Sequence, residues 1–451
     1  MTPLGSYFYF IYPSTIYIIY HHPSSQYHPI LSRTRQTNPS LESTYNPIMT
    51  FAKRWRSSEL QIEICHHYNS KVYDSGSPVI GDVVFSPIKN LYSAAVQISL
   101  VGESKVHWEN ITAGATTTHR FLELDMPIPD SAYPESGTFL AGETYVLPFH
   151  FIIPHELPSA ACSHRVDSEV VKDHHLQLPP SMGNWEKDDM AAAITEIIYS
   201  IKTTVFHQPC AGEPYSTYTE AARRIKVIAP SPEQPPLNIY KSNKRYALTK
   251  TKQVRKGLLS GSLGQVTVAA AQAQTVHLYP DGRGDGQSSL PLSLTFKPTA
   301  LDVIPPQVTK MSAKIRSYTW YQPSQVSGLP DLGGTIGEPF TINVPLSVKP
   351  QSRLDWSQHL DTTSSSSRGS GKPPLFHSTT MDVLFQLPTS TKTFLPTFHS
   401  CLISRTYAIH LSLYVNNAEV ELVVPIQIAI DAAPGVKSES PPVVEMVPAY
   451  S

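Results

Sequence analysis

From about residue 60 to about residue 430, apolar side chains recur at every second position, with hardly any helical rhythm between. Val420, Leu422, Val424, Ile426, Ile428 and Ile430 show the alternation most plainly. Successive side chains of a β-strand point to opposite faces, so each such segment offers one face to a core and one to water. Stacked antiparallel sheets satisfy that pattern, which makes the fold class all-β. The first half repeats it at Leu60, Ile62 and Ile64, at Val79, Gly81, Val83 and Phe85, and at Val96, Ile98 and Leu100. It returns at Tyr145, Leu147, Phe149, Phe151 and Ile153, and at Ile197, Tyr199, Ile201, Thr203 and Val205. Turn signals separate these runs, so about seven strands in about 150 residues read as one sandwich. The second half has the same style at Leu290, Leu292, Leu294 and Phe296 and at Tyr407, Ile409, Leu411, Leu413 and Val415.

A chain of 451 residues exceeds one ordinary core. The reading is a first sandwich over 57–208, an interdomain loop over 209–222 and a second sandwich over 223–432. Within the second, 351–372 is Ser-rich and too poor in apolar residues to order itself, and 433–451 is a flexible tail. Residues 1–56 read as a disordered leader or a gene-model extension, with Met49 as the preferred biological start. The aromatic stretch from Tyr7 to Tyr20 contains Pro13 and is shorter than the ~20 apolar residues of a membrane-spanning helix.

Composition narrows the function. The 35 basic and 36 acidic residues give a net charge of −1, so no nucleic-acid partner is expected on bulk charge. Prolines number 41, about 9% against a usual ~5%, which suits loops, edge strands and tails. The four cysteines, Cys65, Cys162, Cys210 and Cys401, lie far apart and fit reduced thiols in a cytosolic protein. No nucleophile elbow or phosphate-cradling glycine loop occurs; Gly261-Ser262-Leu263-Gly264 has the wrong spacing. No catalytic residue and no cofactor are expected.

Histidine pairs supply the one metal-like signal, in Cys65-His66-His67, Cys162-x-His164 and His174-His175. Adjacent strand residues face opposite ways, and no C-x-x-C or H-x-x-x-H pair gives zinc spacing. These read as loop and edge histidines, with no metal ligand assigned. Two other features suit a binding protein. Lys241, Lys244, Arg245, Lys250, Lys252, Arg255 and Lys256 form a run without an acidic residue. Such a run is either a solvated strand or a patch for acidic lipid headgroups or an acidic or phosphorylated tail. At the end of the chain, Val447, Pro448 and Tyr450 form a degenerate version of the Pro-Pro-x-Tyr ligand of WW domains, with Val447 where the first proline belongs.

Longer strings are more specific. The segment His175-Leu176-Gln177-Leu178-Pro179-Pro180-Ser181-Met182-Gly183 resembles a signature of fungal arrestin-like proteins. Tyr73, Gly76, Val79, Gly81 and Val83 fit the same family, as do Phe139-x-Ala141-Gly142-x-Thr144-Tyr145 and, in the second half, Arg255-Lys256-Gly257-Leu258-Leu259 and the run from Phe398 to Tyr407. The resemblance covers about residues 60–431 and implies two arrestin β-sandwiches, immunoglobulin-like, in tandem. Leu178, Pro179, Pro180, Ser181, Met182 and Gly183 read as a structural loop, because proline fixes φ and glycine permits unusual angles.

Proteins similar to this act as adaptors. They bind cytosolic tails of plasma-membrane transporters or receptors and recruit the WW domains of a HECT-type ubiquitin ligase, so that the cargo is ubiquitinated and internalised. The resemblance thus implies a cytoplasmic, non-enzymatic protein working peripherally at the plasma membrane or endosomes. The missing intact Pro-Pro-x-Tyr keeps a second reading open, an arrestin-like scaffold in signalling or sorting without a ligase. A third, a metal-dependent enzyme built on the histidine pairs, would carry stoichiometric zinc.

Overall fold

The computed structural model describes residues 59–109, 114–208, 214–240, 243–257, 261–282, 284, 287–330, 337–349, 353–360 and 375–432. The leader over 1–56, Lys241 and the tail with Val447, Pro448 and Tyr450 lie outside them.

Alternation builds the first sandwich. In Pro78–Phe85, every second residue from Val79 to Phe85 is buried. That strand pairs with Leu60–Ile64 on one side and Tyr145–Ile152 on the other. Opposite lies a five-stranded sheet in the order Val72–Tyr73, Ser216–Val227, Thr195–His207, Ala95–Glu109, Gly114–Met126. Val83, Phe85 and Phe149 of one sheet and Ile98, Leu100 and Tyr199 of the other share one core. Each fully buried side chain of this size contributes about 1.5–3 kcal/mol.

The second sandwich follows the same logic. One sheet runs Thr249–Arg255, Ser262–Ala270, Gln287–Pro298, Leu375–Gln386, Ser357–Leu360. The other is built on Ile403–Val415, paired with Val308–Tyr321 on one edge and with Phe398–His399 and then Ala418–Ile426 on the other. Phe340–Leu346 closes its far side against Val308–Tyr321. The alternating run ending at Ile430 is two strands. Ala418–Ile426 stays in this sheet, whereas Ile428–Ile430 pairs in parallel with Val276–Leu278. The switch falls at Gln427, whose side-chain carbonyl accepts from Gln234 N at 3.0 Å.

Three sequence expectations need correction. The loop expected over 209–222 is strand from Ser216 onward: Ser216–Val227 pairs antiparallel with Thr195–His207, with a bulge between Thr217 and Thr219. Solvent-facing Glu220, Arg223 and Arg224 hide its alternation. The insertion expected over 351–372 is ordered in part. Ser357–Leu360 adds an edge strand to Leu375–Gln386, and buried Leu354 takes the side-chain carbonyl of Gln307 on its amide at 2.7 Å. Residues 361–374 lie outside the described ones. Finally, a helix, Glu169–Leu176, interrupts the all-strand rhythm. Ser168 caps it, its hydroxyl accepting from Val171 N, as N-cap serines do. Among the described residues no helix is long and apolar enough to cross a membrane.

Candidate functional site

The segment Leu178 to Gly183 lies where the two sandwiches meet, and its hydrogen bonds explain its composition. The Ser181 amide donates to Val227 O at 2.8 Å while its hydroxyl accepts from Val227 N at 2.9 Å. Met182 exchanges both backbone bonds with Ile197. Tyr199 donates its hydroxyl to Pro179 O at 2.8 Å, which satisfies a phenol buried in the core. Pro179 and Pro180 are buried without an amide hydrogen to satisfy. Gly183 has φ +88°, and a Cβ there would sit 2.9 Å from Thr195 O. Its amide donates to an Asp189 carboxylate oxygen at 2.6 Å. Leu178, Ser181 and Met182 are buried.

Arg405, at the start of a long strand of the second sandwich, reaches across to this loop. It is 0% exposed, and such a position is rare for a guanidinium. Nη1 donates to Asp189 O at 2.8 Å, Nη2 lies 3.5 Å from the Met182 sulfur, and Nε has no partner. Around it the halves are joined by Asp188 with Lys392, by Thr393 N donating to Asp188 O at 3.0 Å, and by the Thr319 hydroxyl donating to Met190 O at 3.3 Å. Lys392, then burial in the opposite sense, then the Met190 amide set the Asp188 carboxyl, with the net result held below its ordinary value.

Beside this lies a group that local spacing could not reveal. Cys162, ending a short 3₁₀ turn, His164, His175 on the helix and Cys401 from the second sandwich bring one ligand atom each within 4.8 Å of one another. The reading of His175 as a loop or edge residue is therefore corrected: it is helical and 1% exposed. Cys162 and Cys401 are buried free thiols. Burial, with the Cys162 thiol adjacent, pushes the Cys401 thiol up to about 12. Burial, then His164, lowers His175 to about 4. His66 and His67, by contrast, sit at a turn where His66 has φ +53°. His67 Nδ1 lies 3.3 Å from the Tyr73 hydroxyl, and Cys65 is exposed.

The basic run does not form one surface. Arg245 lays its guanidinium over Trp320, 4.5 Å from the ring centroid, and over Tyr318 at 5.7 Å. That stacking closes a small cluster with Tyr246. Lys250, Lys252 and Arg255 lie on the edge strand Thr249–Arg255, and with Lys244 and Lys256 they are exposed. Among the described residues none of these five has a carboxylate within ion-pair reach. A cavity of about 450 Å³ opens near the junction, lined by His174, Pro232, Pro236, His399 and Tyr407 among others.

Residues 62–229 match the family described as Arrestin (or S-antigen), N-terminal domain. The match begins in the first strand and ends just past Ser216–Val227, so it spans the first sandwich, the helix and the junction loop. No curated protein matches the chain. The first sandwich, with the helix and the junction loop, is thus similar to an arrestin N-terminal domain, and a second β-sandwich follows it.

Proposed function

We propose that the protein is an adaptor that binds cytosolic tails of plasma-membrane transporters or receptors and links them to a HECT-type ubiquitin ligase for ubiquitination and endocytosis. The observation that carries this reading is the arrestin N-terminal match, laid over a sandwich that is fastened to a second one. Two joined sandwiches offer long edges and loops for partners. Lys250, Lys252 and Arg255 supply unpaired positive charge on one such edge for an acidic tail or acidic headgroups, each worth ~1 kcal/mol near an anionic surface. Val447, Pro448 and Tyr450 would serve as a degenerate WW-domain ligand, a class of segment that aromatic grooves bind at low entropy cost. Weak contacts at edge and tail add through effective concentration.

Proximity labelling in cells tests the whole reading: a membrane transporter or receptor together with a HECT-type ligase is the expected result, and neither would refute it. A WW-domain pull-down with the full chain and with Tyr450→Ala tests the tail. Loss of capture in the variant is expected, and equal capture removes the tail from the mechanism. Val447 in place of proline favours one second reading, an arrestin-like scaffold without ligase recruitment. It predicts cargo binding that survives deletion of 433–451 and no ligase among the labelled proteins.

A further inference from the structure

We propose that Cys162, His164, His175 and Cys401 bind one zinc ion as a closed, structural site that fastens the first sandwich to the second. Two thiols and two imidazoles are a zinc donor set, and four protein ligands with no open position mark a structural rather than a catalytic site.

The geometry supports it atom by atom. Cys162 Sγ lies 3.5 Å from His175 Nδ1 and 3.7 Å from His164 Nδ1. With Zn–S near 2.3 Å and Zn–N near 2.0–2.1 Å, the sulfur-to-nitrogen edge of a tetrahedron is about 3.5 Å. Those two edges already have about the length that an ion requires, and all four donor atoms lie within 4.8 Å of one another, on a 3₁₀ turn, a capped helix and the segment before Ile403–Val415.

Outer contacts orient the donors. His164 Nε2 donates to Val326 O at 2.9 Å. That bond places the proton on Nε2 and turns the Nδ1 lone pair toward Cys162, the arrangement found behind metal-bound histidines. His175 is more telling. Its ring is buried and its Nδ1 faces the Cys162 thiol, a weak partner that a coordinate bond to zinc would replace.

Binding releases the two thiol protons to solvent, and the resulting pair of thiolates neutralises the dication. The buried site is then uncharged, which a buried pocket tolerates. Cys401 makes the consequence long-range: its Sγ also lies 3.7 Å from Ala161 O, 240 positions away. The metal therefore closes a bond between the halves beside the Arg405 contact.

Elemental analysis of the full chain, purified without chelator, tests the site. About one zinc per chain is expected in the unmutated protein and in Cys65→Ser, and close to none in Cys401→Ser. Should Cys401→Ser fail to fold, cobalt exchange into the unmutated chain decides independently. Intense thiolate-to-cobalt charge transfer with tetrahedral visible bands supports the site. Folded protein that is metal-free and takes up no cobalt overturns the proposal, as does zinc retained by Cys401→Ser. Loss of two titratable thiols in the metal-free chain, restored by reductant, would identify a Cys162–Cys401 disulfide instead and equally overturn it.

Discussion

His175 and His67 are histidines of the same sandwich, each close in sequence to another histidine, and the fold gives them opposite surroundings. His67 sits at a partly exposed turn beside exposed Cys65. His175 is enclosed at the junction, with Cys162, His164 and Cys401 around it. The difference is set by where their segments go. The Cys65 turn follows the first strand, whereas the helix Glu169–Leu176 leads directly into the loop that meets the second sandwich. Clustering along the chain is thus a poor guide to convergence in space. The junction gathers cysteines and histidines from positions hundreds of residues apart, whereas Cys65, His66 and His67, side by side at the turn, join no such group among the described residues.

Substitutions at the two places should separate them sharply. Arg405→Ala removes a fully buried side chain and its bonds across the junction, so a loss of about 3 kcal/mol or more in denaturant unfolding is expected. Arg405→Met, which keeps the apolar stem and removes the charge, should cost clearly less, since desolvating a guanidinium is itself unfavourable. Equal losses would mean that the charge, not the packing, matters. Gly183→Ala should cost about 1–3 kcal/mol, because alanine is strained at φ +88° and its Cβ meets Thr195 O. A neutral result would show that the loop shifts freely and that the junction is softer than its hydrogen bonds imply.

A pH effect of intermediate size lies away from both regions. His410 shares a hydrogen bond with the Tyr318 hydroxyl, at 3.1 Å. Burial first, then Arg316 and Lys314, lower it to about 4. The folded protein keeps it neutral where the unfolded chain takes a proton, so stability falls as pH drops from about 6.5 toward about 4 and levels below. His410→Gln should flatten part of that slope in unfolding midpoints measured across the window; an unchanged slope would assign it to other groups. The smallest effect is expected at the turn: Cys65→Ser should stay within about 0.5 kcal/mol of the unmutated chain. A large loss there would erase the contrast.

What the sequence made legible follows from how strictly each strand alternates. In Ala418–Ile426 as far as Val424, and in Ile403–Val415 from Ile409 onward, buried residues alternate with less buried ones, and the pattern there is plain. Val308–Tyr321 is as central in its sheet, and there Lys310, Ser312, Lys314 and Arg316 on the outer face alternate with Met311, Ala313 and Ile315. Its last turns of the pleat, Ser317 to Trp320, are buried on both faces, which erases alternation altogether. Likewise 95–109 reads in sequence as two strands because Gly102, Glu103 and Ser104 interrupt the apolar run, but it is one strand with a register shift at Gly102. The junction was less visible still. The family-like string from Leu178 to Gly183 marked the loop, but nothing local to Arg405 or Cys401 announces that they cross to it. The basic run was legible as charge only; that Arg245 would turn inward onto Trp320 depends on aromatic residues far along the chain.

The contacts at the junction predict that the two sandwiches unfold as a single cooperative body. Scanning calorimetry of the full chain addresses it directly. One unfolding transition is predicted for the unmutated protein, splitting into two when Arg405 is replaced by alanine. Two separate transitions in the unmutated chain, unmoved by that substitution, would contradict it.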